Sequence, residues 1–190
     1  MDKAGAILEV CALLSDGDRD GAAAIVRAKY PFRPIKKTPR RYTELESMQV
    51  FVRDGFVDRY DGTRLVFPGT LRLLSCVLPD EFPAYPNWKL SASHIAFWEL
   101  FPTIDHVVPV ARGGADAISN WICTSMLKNQ AKSSWTIEEL GWDLHDAGDI
   151  SQWDGLTLWF LNYVASHETL LTNDYLKRWR RAAERCLPAG

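Results

Sequence analysis

Apolar and polar positions alternate along the chain in short blocks with helical and strand periods. Residues 3–29 carry apolar positions at Ile7, Leu8, Cys11 and Leu14, then at Ala23, Ile25 and Val26, which predicts one or two helices. The Ser15-Asp16-Gly17-Asp18 turn between the two groups supplies a helix N-cap. Pro31, Pro34 and Pro39 predict an extended connector through residue 41. Residues 43–53 then read as a helix with Leu45, Met48, Val50 and Phe51 on or near its inner side. The Asp-Gly pairs within 53–62, with β-prone flanks through Gly69, predict a short β-hairpin or knuckle. Residues 70–78 are apolar and fit helix or strand equally. A proline-rich loop over 79–89 leads into a helix around 92–100.

The next stretch reads as a ββα unit. Ile104, Val107 and Val108 fit a strand that Pro109 ends, and Gly113-Gly114 allows a tight reversal. Asn120-Trp121-Ile122-Cys123 can pair back, and Thr124 or Ser125 can cap a helix through Lys132. Thr136 followed by Glu139 has the capping-box pattern of a further helix start. Two more helices are predicted at about 154–166 and 173–186. The expected fold is therefore α+β: a mainly helical protein around a ββα core, with a short β-hairpin. The expected division is 1–42, an N-terminal helical segment and basic connector; 43–135, the core; and 136–190, C-terminal helices packing on it.

Composition adds bounds. With 190 residues, 47% hydrophobic and 24% charged, the chain is long enough for one well-buried core. The N-terminus lacks the basic start and cleavage site of a signal peptide. The longest apolar stretch, 156–165, is interrupted by Asn162 and is too short to span a bilayer. These features predict a cytoplasmic protein with no membrane contact. Cys11, Cys76, Cys123 and Cys186 form no C-x-x-C pair and read as reduced, mostly buried thiols. A net charge of −2 excludes a uniformly basic nucleic-acid coat. Local charge differs: seven Lys/Arg and no acid lie between Arg27 and Arg41, and Lys177, Arg178, Arg180, Arg181 and Arg185 cluster near the end. Such segregated patches can attract a phosphate backbone.

The chemistry-bearing residues converge on the ββα unit. Asp105 and the Asn129 amide oxygen are hard ligands suited to one Mg²⁺ or Mn²⁺. His106 titrates near neutrality and suits a general base acting on water. Asn120 suits an orienting role, its amide bonding backbone across the loop. Arg112, Lys128 and Lys132 lie close in sequence to the metal ligands and are candidates for contacting the scissile-strand phosphate. Lys36, Lys37, Arg40 and Arg41 are candidates for gripping the backbone. His94, His145 and His167 read as ordinary hydrogen-bonding histidines, His94 being the one nearest the motif.

Asp105-His106, Pro109, Gly113-Gly114, Asn120 fourteen residues beyond the histidine and Asn129 nine residues further resemble the HNH (ββα-metal) endonuclease motif, in the variant ending in Asn. Many members carry a zinc knuckle, R-D-G-F-x-C-x-x-C-G, upstream, and a second C-x-x-C before the last ligand. This chain reads Arg53-Asp54-Gly55-Phe56-Val57-Asp58-Arg59-Tyr60-Asp61-Gly62, with Ser125 and Lys128 at the second pair. The knuckle pattern is kept while its thiolates are lost, so no structural zinc is expected. Asp54 and Asp58 are conceivable second-site ligands, but turn chemistry accounts for them, and replacing Asp58 and Asp61 together is expected to leave activity roughly unchanged.

The resemblance implies a metal-dependent endonuclease hydrolysing DNA phosphodiester bonds, with His106 as base, one divalent metal and DNA as partner. By family analogy it points to bacterial restriction or phage defence; a homodimer is left open. The alternative is a catalytically silent nucleic-acid-binding module on an HNH scaffold. A third reading takes the Trp-rich second half as a protein-binding surface.

Overall fold

The computed structural model describes residues 2–32, 41–86 and 89–187. Lys36, Lys37 and Arg40 of the basic connector lie outside them, whereas Arg41 is described and exposed. The chain divides into two units, Met1–Thr38 and Pro39–Gly190. In the first, α1 (Lys3–Ser15) pairs with α2 (Arg19–Lys29). Asp2 and Asp18 start the two helices, accepting from the backbone N–H of Gly5 and Gly21 at 3.0 and 2.9 Å. Each cap satisfies a donor that the first helical turn leaves open.

The second unit is built around aromatic rings. A capping box starts α3 (Glu44–Arg53): Thr43 accepts from Glu46 N, and the Glu46 carboxylate accepts from Thr43 N at 2.8 Å. Its buried residues Met48, Val50 and Phe51 belong to the main core, and the helix packs on α9 (Asp174–Cys186) and on the hairpin below. Residues 70–78 prove helical. Pro68 opens α4 (Pro68–Val77) at a position where its missing N–H costs nothing, and α4 packs on α8 (Thr157–Ser166) and α9. Phe67 meets Phe160 and Trp179 edge-on, with ring centroids 5.1 and 5.6 Å apart, an arrangement favoured by the ring quadrupoles. Of Trp135, Trp142, Trp153, Trp159 and Trp179, Trp179 is buried, Trp142 and Trp153 are half-buried, and Trp135 and Trp159 are exposed.

Two expected helices shrink to single turns. The one around 92–100 is α5 (Ala96–Glu99), preceded by a 3-10 turn at Leu90–Ala92. The capping box of Thr136 and Glu139 forms, but Gly141, at φ +65°, ends the next helix at once. The thiols also differ from expectation: all four are free, yet Cys11 and Cys76 are exposed and only Cys123 is fully buried. No helix among the described residues is long and apolar enough to cross a membrane.

The ββα unit consists of β1 (Pro102–His106), β2 (Trp121–Ser125) and α6 (Met126–Lys132). The strands are antiparallel, with Ile104 opposite Cys123 and His106 opposite Trp121. Ser125 caps α6, its hydroxyl accepting from Lys128 N at 3.1 Å. The helix folds back on both strands.

The knuckle at 53–65 is a turn with one isolated bridge, Val57 to Arg64, and carboxylates hold it to β2. Buried Asp54 accepts from Cys123 N at 2.7 Å and from Arg53 and Arg59. Asp58, fully buried, accepts from Tyr60 N, the Thr124 hydroxyl and Ser125 N at 2.8–2.9 Å. Asp61 pairs with Lys128 at 3.2 Å. Of the four positions matching zinc ligands, Asp58 thus meets the backbone of Ser125 and Asp61 meets Lys128. This corrects the view that turn chemistry alone accounts for Asp58: without it, buried donors on two strands of chain lose their acceptor. Gly55 belongs to the same packing. Its φ is +62°, and a Cβ there would overlap the backbone of Gly148.

Candidate active site

The loop between the strands is fixed by one amide. Asn120 Nδ2 donates to Val108 O and Ala115 O, both at 2.8 Å, and its Oδ1 accepts from Val108 N at 2.9 Å. Gly114 completes the clamp, since a Cβ there would overlap the Val108 carbonyl oxygen. Asn120 thus has both of its amide N–H groups, and its oxygen as acceptor, bonded to backbone, which holds the loop in place.

Side chains alternate across β1, so Asp105 and His106 face opposite ways. Asp105 is buried and accepts from Tyr60 Oη at 2.6 Å and Lys132 Nζ at 2.9 Å, both through Oδ2. Burial first, then the charge and hydrogen bond of Asp105, push the Tyr60 phenol far above its ordinary range, so it stays a donor. Lys132 Nζ also donates to His106 O at 2.7 Å, which ties the end of α6 to the end of β1. Asn129, one turn earlier on α6, donates through Nδ2 to Thr103 Oγ1 and Ile104 O at 3.0 Å each. With both donations made by the nitrogen, its Oδ1 is the atom presented as a ligand.

The His106 side chain sits in a separate cluster and is only 3% exposed. Its Nε2 lies 2.8 Å from Asp116 Oδ1, 3.1 Å from Trp121 Nε1 and 3.5 Å from Tyr42 Oη. Asp116 also accepts from Trp121 Nε1 at 3.0 Å and Tyr42 Oη at 3.3 Å. The hydrogen bond from His106, with smaller help from Trp121 and Tyr42, holds the Asp116 carboxyl below the usual carboxylate range. The side chains of Asp105, His106 and Asn129, expected to converge on one point, have separate partners instead, because Asp105 and His106 point to opposite sides of β1. Lys132 and Asn129 join α6 to the strand, while the imidazole points to the loop.

The expected phosphate contacts divide. Lys132 is a correction: it is 0% exposed and committed to Asp105 and the His106 carbonyl, because a buried carboxylate needs a buried cation. Lys128 pairs with Asp61 and lies 5.3 Å over the Trp142 ring. Arg112 is exposed, donating to Ser134 O at 3.2 Å and reaching Glu139 at 3.5 Å. Arg41 is exposed beside Tyr42, which touches the His106 cluster. His94 accepts from Ala96 N at 3.2 Å and stacks on Phe82, a role in packing α5.

Sequence reasoning missed Asp116, Tyr60, Tyr42 and Trp121. Asp116 carried a signal, a carboxylate ten residues past the histidine within the same short loop. Tyr60 and Tyr42 carried none, since only the tertiary fold brings them to the site.

Asp105 and Asn129 fit a hard divalent cation: one carboxylate and one amide oxygen, the rest of the shell being left to water and substrate. Among the described residues no group of three or more His, Cys, Asp or Glu could hold a metal, so any ion would keep several non-protein ligands.

A hairpin ending in Asp-His, a clamped glycine loop and a helix returning an amide to the first strand make up a ββα unit. Residues 84–136 match the model of the HNH endonuclease family. The knuckle lies outside the matched segment. No curated protein and no solved structure matches the chain.

Proposed function

We propose that the chain is a metal-dependent endonuclease that hydrolyses DNA phosphodiester bonds at the ββα unit, in a restriction or phage-defence setting suggested by family analogy. The observation that carries the reading is the concentration of the motif's polar groups in the ββα unit: His106 bonded to a carboxylate, Asn120 clamping the loop beside it, and Asp105 and Asn129 offering hard oxygens. His106 takes the proton of the attacking water. Asp105 and Asn129 would hold one Mg²⁺ or Mn²⁺, whose charge, when bound, lowers the cost of the negative phosphorane and the leaving 3′-oxygen. Lys132 keeps Asp105 neutralised until then. Arg112 and Arg41, both exposed, supply phosphate contacts that give affinity without sequence choice.

The alternative, a silent nucleic-acid-binding module, gains from the ion pair on Asp105 and from the shielding of His106. One assay separates the two: nicking of supercoiled plasmid with Mg²⁺, Mn²⁺ or EDTA, beside His106→Ala. Metal-dependent nicking lost in the variant supports the nuclease. Salt-sensitive plasmid binding with no nicking by wild type under either metal removes it in favour of the binding module.

A further inference from the structure

We propose that a cavity walled by α4, α5, the start of α9 and the loop before α5 is a binding pocket for a single pyrimidine base. The inference goes beyond the cleavage reading, and only the question of what presents the base leans on DNA as substrate.

Local structure fixes the walls. Phe97 on α5 is buried, Tyr175 in the first turn of α9 is half-buried, and Arg72 lies on α4, which packs on α9. The loop before α5 supplies the remaining side, and its two limbs are bonded together. Tyr85 N donates to Ser93 Oγ at 2.9 Å, and His94 N donates to Pro83 O at 2.8 Å. Phe82 stacks on His94 and meets Phe97, with ring centroids 4.3 and 5.4 Å apart, which anchors the loop to α5. Arg72, Tyr85, Ser93, Phe97 and Tyr175 thus line one preformed cavity of about 170 Å³.

Volume selects the size of the guest. A cavity of about 150 Å³ takes one benzene-sized ring, whereas drug-sized ligands need about 300 Å³ or more. Three aromatic side chains in the lining select a flat ring, which they can stack on or meet edge-on. Charge then selects the edge of that ring. Arg72 is the one lining side chain charged at neutral pH; it is half-buried and forms no ion pair among the described residues. Its guanidinium only donates. Ser93 Oγ already accepts from Tyr85 N, so its proton is a donor as well. Burial, outweighing the Arg72 charge, raises the Tyr175 phenol above its ordinary value, so it too keeps a proton to donate. The lining therefore calls for acceptors. A cationic guest, the common occupant of aromatic cages, is repelled by Arg72. A hydrocarbon ring leaves the guanidinium without an acceptor. A purine brings a second ring. A pyrimidine satisfies size, flatness and polarity together, through one six-membered ring edged with carbonyl oxygen. Two sources present such a ring: an unpaired base of a strand, and a free nucleoside.

Amide spectra of the ¹⁵N-labelled full chain, titrated with thymidine in EDTA, test the pocket without any cleavage. Shifts should gather at Tyr85, Ser93 and Phe97. Deoxyadenosine, too large, and toluene, without acceptors, should each bind at least about tenfold more weakly. Arg72→Met should weaken thymidine by about tenfold or more, as the loss of a charged donor does, and leave toluene unchanged. Tyr85→Ala, at an exposed ring, should weaken both guests. Melting curves confirm that the variants are folded, and the comparison of guests on wild type needs no variant. No response to millimolar thymidine overturns the proposal. So does deoxyadenosine or toluene binding as tightly as thymidine, or a folded Arg72→Met that binds thymidine as wild type does. An oligothymidylate that shifts the same amides at lower concentration than thymidine, and loses this in Arg72→Met, assigns the base to a strand. Thymidine binding with no response to the oligonucleotide assigns it to a free nucleoside. If wild type fails to nick plasmid, the nuclease reading falls, yet these titrations still decide the pocket.

Discussion

Lys132 and Asp105 form the most consequential pair at the scale of single residues. Both are buried, and each is the other's only counter-charge in the described structure. Removing one member of such a pair leaves an uncompensated charge, which costs about 3–5 kcal/mol. Lys132→Met should therefore lower the melting temperature markedly in metal-free buffer. It should also leave Asp105 more available to a cation, and a ligand that binds only the folded state stabilises it by mass action. Mn²⁺ should then raise the melting temperature of Lys132→Met more than that of wild type. An equal rise in both would show that Lys132 does not compete at Asp105. Asn120→Ala argues the loop in the same terms. It deletes three hydrogen bonds to backbone, so it should cut kcat strongly and destabilise by about 1–3 kcal/mol, as read by nicking assays and urea melts; unchanged kcat would detach the loop from the base. Asp105, His106, Asn120 and Asn129 could be read in the sequence because their types and spacing follow from the local geometry of a hairpin and a helix. The partners that tune them could not. Tyr60 and Tyr42 reach the site across 45 and 64 residues of chain. Lys132 read as a candidate phosphate contact, since nothing in its own short helix signals burial against Asp105.

At the scale of elements, the knuckle shows how a cross-link can be replaced without metal. Asp58 takes hydrogen bonds from Tyr60 N on the turn and from Thr124 and Ser125 on the end of β2, all in the interior. Each buried donor left without an acceptor costs about 1–3 kcal/mol, so Asp58→Ala should lose at least roughly 3 kcal/mol in urea unfolding. Asp61→Ala should lose far less, since exposed ion pairs contribute only about 0–1 kcal/mol. In protein prepared without Mg²⁺ or Mn²⁺, a chelator should leave the wild-type melting temperature unchanged; a clear drop that neither Mg²⁺ nor Mn²⁺ restores would reveal a structural metal of another kind. Acid sharpens the distinction. Burial alone would raise the Asp61 carboxyl, but hydrogen bonds from Thr63 and from Lys128 outweigh it and hold it below its ordinary value. Its contribution is thus present above about pH 4, the unfolded range, and fades as pH falls through the lower folded value. Asp61→Asn should accordingly remove part of the acid dependence of stability below that pH. The elements themselves were legible where a local signal existed. The capping box at Thr136, the Ser125 cap and the glycine turn all form as their residues require. Element lengths were less so: Gly141 ends one helix after a single turn, and the stretch around 92–100 is α-helical only over Ala96–Glu99. Residues 70–78 became helical because α8 and α9 offer a face for α4, a tertiary fact absent from its own sequence.

At the scale of the whole molecule, the question is where a polyanion would be held by a chain with a net charge of −2. The two basic clusters are not equivalent. In the C-terminal one, Arg178 is paired with Glu44 at 2.6 Å and Arg180 with Glu184 at 2.7 Å, so two of its cations already have counter-charges. In the other, Arg41 is exposed and its neighbour Tyr42 lies within 3.3 Å of Asp116. Arg41 thus adjoins in sequence a residue of the His106 cluster, where, on the proposed reading, a contact to backbone would bring a phosphate near His106. DNA binding of this kind releases counterions, and the slope of log K against log salt changes by about 0.9 for each phosphate contact on a duplex. Replacing Lys36, Lys37, Arg40 and Arg41 together by Gln should flatten that slope by up to about 3–4 and weaken plasmid binding at low salt. The matching change of Arg178 and Arg180 to Gln should leave the slope nearly as it was, because those cations are spent on carboxylates. Equal effects from the two sets would mean that DNA lies across α9 as well. No effect from the first set would remove the connector from the interface and leave Arg112 and the loop as the place to look.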